Sequence, residues 1–364
     1  MSGDCIAGVT ATAYTVPTDQ PESDGTFEWD STTIVIAEVV SGEFTGIGYT
    51  YSSPAAAIVI REHLEPGVKG CDPLSISDIW CRMIHSVRNI GRAGIASAAI
   101  SAVDCALWDL KGKLLGLPTV SLLGSVRENV AVYGSGGFTS YSSRQLQTQL
   151  AGWVDQGIGS VKMKVGRRPE TDAARVAAAR KAIGGAPQLF VDANAAYSES
   201  EACRQAQAFA ESNVTWFEEP VSSENLSGLR SIRECVPDGM DIAAGENGYE
   251  LGYFHRLLEA RSVDVLQADA TRCGGITGFL QAAVLCAAYG VPLSAHTAPA
   301  LHLHPACAVS GLRHLEYFHD HVRIERLFFA GVAELKNGLL APDLSLPGLG
   351  LELKQEDVHK FRSL

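Results

Sequence analysis

Positive charge is what this 364-residue chain has least of: 29 Lys and Arg stand against 41 Asp and Glu, for a net charge of −12. The densest basic run is Arg167-Arg168, which is no patch. Nucleic acids and anionic membrane surfaces are held by clustered Lys and Arg, so neither is an expected partner. No apolar run reaches the ~18 uncharged residues that a bilayer-spanning helix needs. The start, MSGDCIAGVTATAY, lacks the basic-then-apolar order of a secretion signal, and a soluble cytoplasmic protein is expected. Cysteine is present nine times but never as Cys-x-x-Cys, so neither a zinc knuckle nor a disulfide framework is readable. Residues such as Cys105, inside AVDCALWDL, are expected as buried free thiols. With 46% hydrophobic and 19% charged residues, the chain is too apolar to stay disordered. Small substrates are the expected partners.

Residues 1–125 predict an α+β unit. TTIVIAEVV (32–40) and FTGIGYTY (44–51) flank a Ser41-Gly42-Glu43 turn and read as a hairpin. Before it, PTDQPESDGTFEWD (17–30) reads as a polar loop. Helical periods follow at 54–64, about 76–89 and about 94–115. The last carries Ile95, Ala98, Ala99, Ala102, Ala106 and Leu110 on one face, which predicts close packing on another element. From 126 to 330 the texture changes. VAVYGS, VKMKVG, LFVDAN, TWFEEP, DIAAGEN, DVLQAD, PLSAHT and HLEYF recur with amphipathic segments between them. Eight strands alternating with helices predict an α/β fold of the (β/α)8 barrel type. A doubly wound sheet is the alternative, but the glycine-rich first turn that usually marks it is missing. Residues 331–364 are expected to return to the first unit.

The strand-like runs end in ionisable residues. Lys162 and Lys164 share a face of the second, because side chains alternate along a strand. Asp192 and Asn194 end the third run, Glu218 and Glu219 the fourth, Glu246 and Asn247 the fifth. Asp269 ends the sixth and His296 the seventh, and Glu316 lies on the eighth. A lone strand-end carboxylate reads as well as a helix N-cap, but six consecutive strands ending this way do not. In a barrel these ends converge on one mouth. Three carboxylates meeting there repel one another unless a cation sits between them, and oxygen ligands without Cys or His favour Mg2+ over Mn2+ or Ca2+. Lys164 and His296 then offer two bases, with Asp269 holding one imidazole tautomer and Lys162 lowering the proton affinity of Lys164.

Together VKMKVG, VDAN, WFEEP, AGEN, QADATRCGGITG, SAHT and LEYF resemble the enolase superfamily, and within it the mandelate racemase subgroup. So do the spacings of 28, 26, 28, 23, 27 and 20 residues from Lys164 to Glu316. GRAGIASAAISAVDCALWDLKGK and LGLPTVSLLG are similar to that family's first-domain helix and linker. The resemblance implies a capping domain on the barrel and one Mg2+ on Asp192, Glu218 and Glu246. It implies Lys164 and the His296–Asp269 pair as bases. It places Lys162, Glu316 and Ser135 at the substrate carboxylate, with Asn194 and Asn247 as further binding candidates and Glu219 behind the ligands. It also implies a homo-oligomer, with an octamer among the possible forms. The reaction is abstraction of the proton α to a carboxylate, giving an enediolate, the chemistry for which general accounts cite this superfamily.

The resemblance leaves the fate of the enediolate open. Loss of a β-hydroxyl gives a dehydratase, and reprotonation on the other face gives a racemase or epimerase. A non-catalytic barrel would have lost a ligand or base, and none is lost. His302-x-His304 suggests a zinc hydrolase pair but follows the seventh strand, the wrong place for one. His314, His319 and His321 read as structural or surface residues, and GSGGF (134–138) as a flexible strand end. The acids of 17–30 (Asp19, Glu22, Asp24, Glu28 and Asp30), with no Lys or Arg among them, favour a sugar monoacid over a dicarboxylate if they face the mouth.

Overall fold

The computed structural model describes residues 4–364. Three antiparallel strands open the chain: β1 (Gly8–Ser23), β2 (Glu28–Ser41) and β3 (Phe44–Tyr51), in the order β1-β2-β3. Helix Ile95–Leu115 packs on them through its small residues. The approach is close because β3 carries Gly46 and Gly48. A Cβ at Gly48 would lie 2.2 Å from the Ala102 carbonyl oxygen, and one at Gly46 would lie 2.1 Å from that of Ala106. Ala98, Ala99, Ala102 and Ala106 are buried as the periodicity predicts, whereas Ile95 is exposed.

Residues 17–30 are a correction. They form the end of a hairpin, with only residues 24–27 between β1 and β2. Pro17 and Pro21 made the stretch read as a loop. They are tolerated because β1 pairs with β2 alone in its sheet and the register shifts between Pro17 and Glu22, so no ladder bond is lost on the free edge. At the tip, Asp24 Oδ1 accepts the N–H groups of Thr26 and Phe27 at 2.6 and 2.7 Å. The tip presses on the barrel mouth: a Cβ on Gly25 would lie 2.4 Å from the Ala193 carbonyl oxygen.

Eight parallel strands form the barrel: β4 (Val130–Gly136), β5 (Ser160–Lys164), β6 (Gln188–Asp192), β7 (Val214–Glu218), β8 (Asp241–Ala244), β9 (Val265–Ala268), β10 (Leu293–Ala295) and β11 (Leu312–Phe318). They follow chain order, and β11 pairs back onto β4 to close the circle. Tyr133, Phe190, Trp216, Ala243 and Val265 form one buried interior cluster, with the His314 ring 4.6 Å from that of Tyr133. Such layers make a barrel a packed core and leave only its mouth for chemistry. After β11 the chain pairs Leu339–Leu340 with β4. The Gly348 carbonyl accepts the Thr119 N–H at 2.7 Å, and the Ser363 N–H reaches the Ala13 carbonyl at 2.9 Å.

Cys105 is a buried free thiol, as expected, while Cys203 and Cys235 form a disulfide that the cysteine spacing did not make readable. They lie on adjacent outer helices, Glu199–Ala210 and Leu226–Cys235, 32 residues apart. That separation is about one strand–helix repeat, so no local motif marks the pair. Among the described residues no helix is long and apolar enough to cross a membrane.

Candidate active site

Lys164, Asp192 and Glu218 are successive register partners across β5, β6 and β7, so they stand at one level of the barrel. Glu246 lies two residues beyond β8. Gly245 makes that turn at φ +131°, where a Cβ would lie 2.2 Å from the Gln267 carbonyl oxygen, so only glycine fits. Asp192, Glu218 and Glu246 are buried, and each offers a carboxylate oxygen within 4.8 Å of the others. Opposite ligands of an octahedral Mg2+ stand about 4.2 Å apart, given metal–oxygen distances of about 2.1 Å. Burial and the neighbouring carboxylates push Glu218 and Glu219 above the usual carboxylate range. A divalent cation relieves that repulsion, and the all-oxygen donor set fits Mg2+.

Lys164 and His296 bracket this triad. Lys164 Nζ lies 2.5 Å from Asp192 Oδ2 at one end. His296 Nε2 lies 3.2 Å from Glu246 Oε2 at the other. His296 Nδ1 is 2.8 Å from Asp269 Oδ2, so its Nε2 faces the site. Burial pulls the His296 pKa down, but Glu246, Glu316 and Asp269 outweigh it and hold it near 10. The expectation for Lys164 is corrected. Burial and Lys162 lower its proton affinity, yet the Asp192 carboxylate in direct contact raises it overall.

Lys162 is buried below the opening, its Nζ 2.5 Å from Glu218, 2.9 Å from Glu316 and 3.5 Å from Asp192. Ser135, its register partner on β4, is buried too, and its hydroxyl has no well-formed hydrogen bond. Neither lines the cavity. Glu316 does, and it accepts the Thr297 N–H at 3.1 Å. Asn194 also lines it, with its side-chain oxygen unpaired. Asn247 points elsewhere, donating to both Glu219 oxygens at 3.2 and 3.3 Å.

The cavity over these residues has a volume of about 300 Å³ and is lined from the cap by Phe27, Trp29, Tyr51 and Ser52. Four of the five hairpin acids do not line it. Asp19 pairs with His319 at 3.0 Å, which also gives that histidine the carboxylate partner its sequence context hid. Glu22 accepts from the Trp29 ring nitrogen, Glu28 pairs with Arg167, and Asp30 accepts from Ser31. Only Asp24 lines the cavity. The charge argument for a monoacid therefore falls. His302 and His304 are structural: their ring nitrogens accept the Ala270 and Val120 N–H groups at 2.7 and 3.1 Å.

Two neighbours escaped the sequence reading. Arg272 lies 3.3 Å from Glu246 and 3.5 Å from Asp269, and the Thr297 hydroxyl lies 3.4 Å from Asp269. Each follows a recognised residue at short range, three after Asp269 and one after His296, and that proximity was their only signal.

Comparison with known proteins matches residues 145–358 to the enolase C-terminal domain-like family. Residues 9–124 match the mandelate racemase / muconate lactonizing enzyme N-terminal domain. The L-talarate/galactarate dehydratase of Salmonella typhimurium is 33% identical over 89% of this chain and 81% of its own. A mandelate racemase/muconate lactonizing enzyme-like protein from Rubrobacter xylanophilus superposes with a TM-score of 0.97, at 50% identity, covering 99% of this chain and 100% of its own. The L-talarate dehydratase from Polaromonas sp. JS666, solved with Mg and L-glucarate, superposes at 0.87, with 33% identity over 99% of this chain and 98% of its own.

Proposed function

This chain belongs to the mandelate racemase / muconate lactonizing enzyme family of enolase-like proteins, and we propose that it is a Mg2+-dependent dehydratase of sugar acids. The observation that carries this reading is the bracketing of Asp192, Glu218 and Glu246 by two acid–base groups, Lys164 and His296. The three carboxylates would hold the ion, which when bound stabilises negative charge growing on the substrate carboxylate. Lys164 or His296 Nε2, each able to shed its proton once a cation shares the charge of Asp192 and Glu246, takes the α-proton, breaking the C–H bond and leaving the enediolate. Protonated His296 then delivers a proton to the departing β-hydroxyl, which leaves as water, and the enol becomes a 2-keto acid. Asp269 keeps the second His296 proton on Nδ1 so that Nε2 stays free for transfer. Lys162 places fixed positive charge beneath the reacting carboxylate.

Aldonates and aldarates with Mg2+ test the reading through 2-keto product and α-deuterium exchange. A 2-keto product from at least one supports it, and none from any refutes it. A second reading, racemisation of an aromatic 2-hydroxy acid, is favoured by the stacked Phe27–Trp29 pair, 6.1 Å between centroids, at the cavity wall. It predicts α-proton exchange without keto product. The homo-oligomer, octamer included, is proposed on the family resemblance, and sedimentation equilibrium tests it. A cytoplasmic location is likewise a proposal, and the Cys203–Cys235 bridge weighs against it, since disulfides persist mainly in oxidising compartments.

A further inference from the structure

We infer that His321 is a neutral hydrogen-bond donor to a chain hydroxyl of the substrate, an inference that rests on the sugar-acid reading above. The ring lies against Tyr51 of the cap, 3.5 Å between centroids and nearly parallel, with Phe318 edge-on at 5.0 Å. The Ala298 N–H donates to its Nδ1 at 3.3 Å. A backbone donor there needs the Nδ1 lone pair, so the ring proton sits on Nε2. Nothing among the described residues pairs with Nε2, and the residue lines the same cavity as Lys164, Glu246 and His296.

Charge does not change this assignment. Burial is the largest influence and lowers the pKa. Asp269 and Glu316 favour the charged ring, while His296 and Arg272 oppose it, and the balance leaves His321 near 3. The result is a fixed N–H donor on a residue of the cavity that Lys164 and His296 also line. A polyhydroxy chain offers it an oxygen. An apolar ring or methyl in that place leaves a buried donor unpaired, which lowers affinity by roughly ten- to a hundredfold.

Two measurements decide it. Nitrogen-15 NMR of histidine-labelled full-length protein, with His321→Gln used to assign the signal, should find His321 as the Nε2–H tautomer from pH 8 down to pH 5. A charged or Nδ1–H ring would overturn this inference while leaving the proposed function standing. Kinetics then use the sugar acid turned over best and a series of its deoxy analogues, each lacking one hydroxyl. His321→Phe should lower kcat/KM on the parent roughly ten- to a hundredfold, and several-fold less on one analogue. His321→Gln, which restores an N–H donor, should recover part of the loss. Equal losses on parent and every analogue mean a merely structural role and refute the inference. A wild-type enzyme that yields no 2-keto product from any sugar acid removes the proposed function and this inference with it.

Discussion

Replacing Asp269 with Asn tests the His296 arrangement most directly, because the change keeps shape and removes only charge and acceptor count. Asp269 uses both oxygens: Oδ2 lies 2.8 Å from His296 Nδ1, and Oδ1 accepts the Thr271 N–H at 2.7 Å. An amide has one oxygen and must choose. If that oxygen keeps Thr271, the NH2 group faces Nδ1, forces it to accept, and moves the ring proton to Nε2, which then cannot take the α-proton. If the oxygen turns to His296, two donors face each other at Thr271, at about 1–3 kcal/mol for the unpaired buried group. Loss of the carboxylate charge beside a forming imidazolium adds about 1–2 kcal/mol, the difference between charge-assisted and neutral hydrogen bonds. Together these amount to roughly 2–5 kcal/mol, or about 30- to 5,000-fold at 1.36 kcal/mol per decade. Turnover of Asp269→Asn should fall within that range, while Mg2+ affinity and thermal unfolding stay near wild type. The assay is 2-keto product formation, with α-deuterium exchange on both substrate epimers to separate the His296 face from the Lys164 face. A variant within threefold of wild type on both faces would refute the tautomer argument.

The remaining predictions are narrower. Glu246→Gln removes one charged oxygen of the triad and should weaken Mg2+ binding at least tenfold by calorimetry and abolish turnover; unchanged affinity means the ion is held elsewhere. Acid stability follows from opposed buried groups. Burial lowers His314 and His321 to about 3 and His304 to about 4, so below pH 6.5 the unfolded chain takes protons that the fold refuses, and stability falls. Burial raises Asp104 to about 7 and Glu22 and Glu325 to about 8, so between pH 6.5 and 4.5 these carboxyls act in the opposite sense. Urea unfolding of the metal-free protein should therefore change little from pH 6.5 to 4.5. Below that the histidine loss stands alone and is joined by Asp269 and Glu316, held below the usual carboxylate range by His296 and by Lys162, so stability should fall by several kcal/mol between pH 4.5 and 3, and a steady loss beginning at pH 6.5 would contradict the balance. Reducing Cys203–Cys235 reopens a 32-residue loop in the unfolded chain, worth about 3–4 kcal/mol by chain entropy. Denaturant unfolding with and without reductant checks it, and identical midpoints would show that the bridge does not constrain the unfolded state.

Much of the barrel was legible because its determinants are local. A buried parallel strand is a short apolar run, and the residue at its end must be polar if it faces a wet mouth, so VKMKVG, LFVDAN and TWFEEP carry strand and ligand together. The small-residue face of 94–115 announced tight packing for a similar reason, since Gly46 and Gly48 of β3 lie directly against the helix backbone at Ala102, Ala106 and Leu110. Long-range partners decided the rest. Asp192, 28 residues away, touches Lys164 and raises its proton affinity, and no pattern around the lysine encodes that contact. The hairpin acids looked like a charged lid until Trp29, Arg167, Ser31 and His319 were seen to turn four of them aside. Cys203 met Cys235, and His321 gained Tyr51 and Ala298, only when separate repeats and the cap closed on one another. Residue type and order along the chain determine which groups reach the mouth. Their charge, tautomer and direction are set by neighbours across space, because electrostatic and hydrogen-bond energies depend on distances that exist only in the folded molecule.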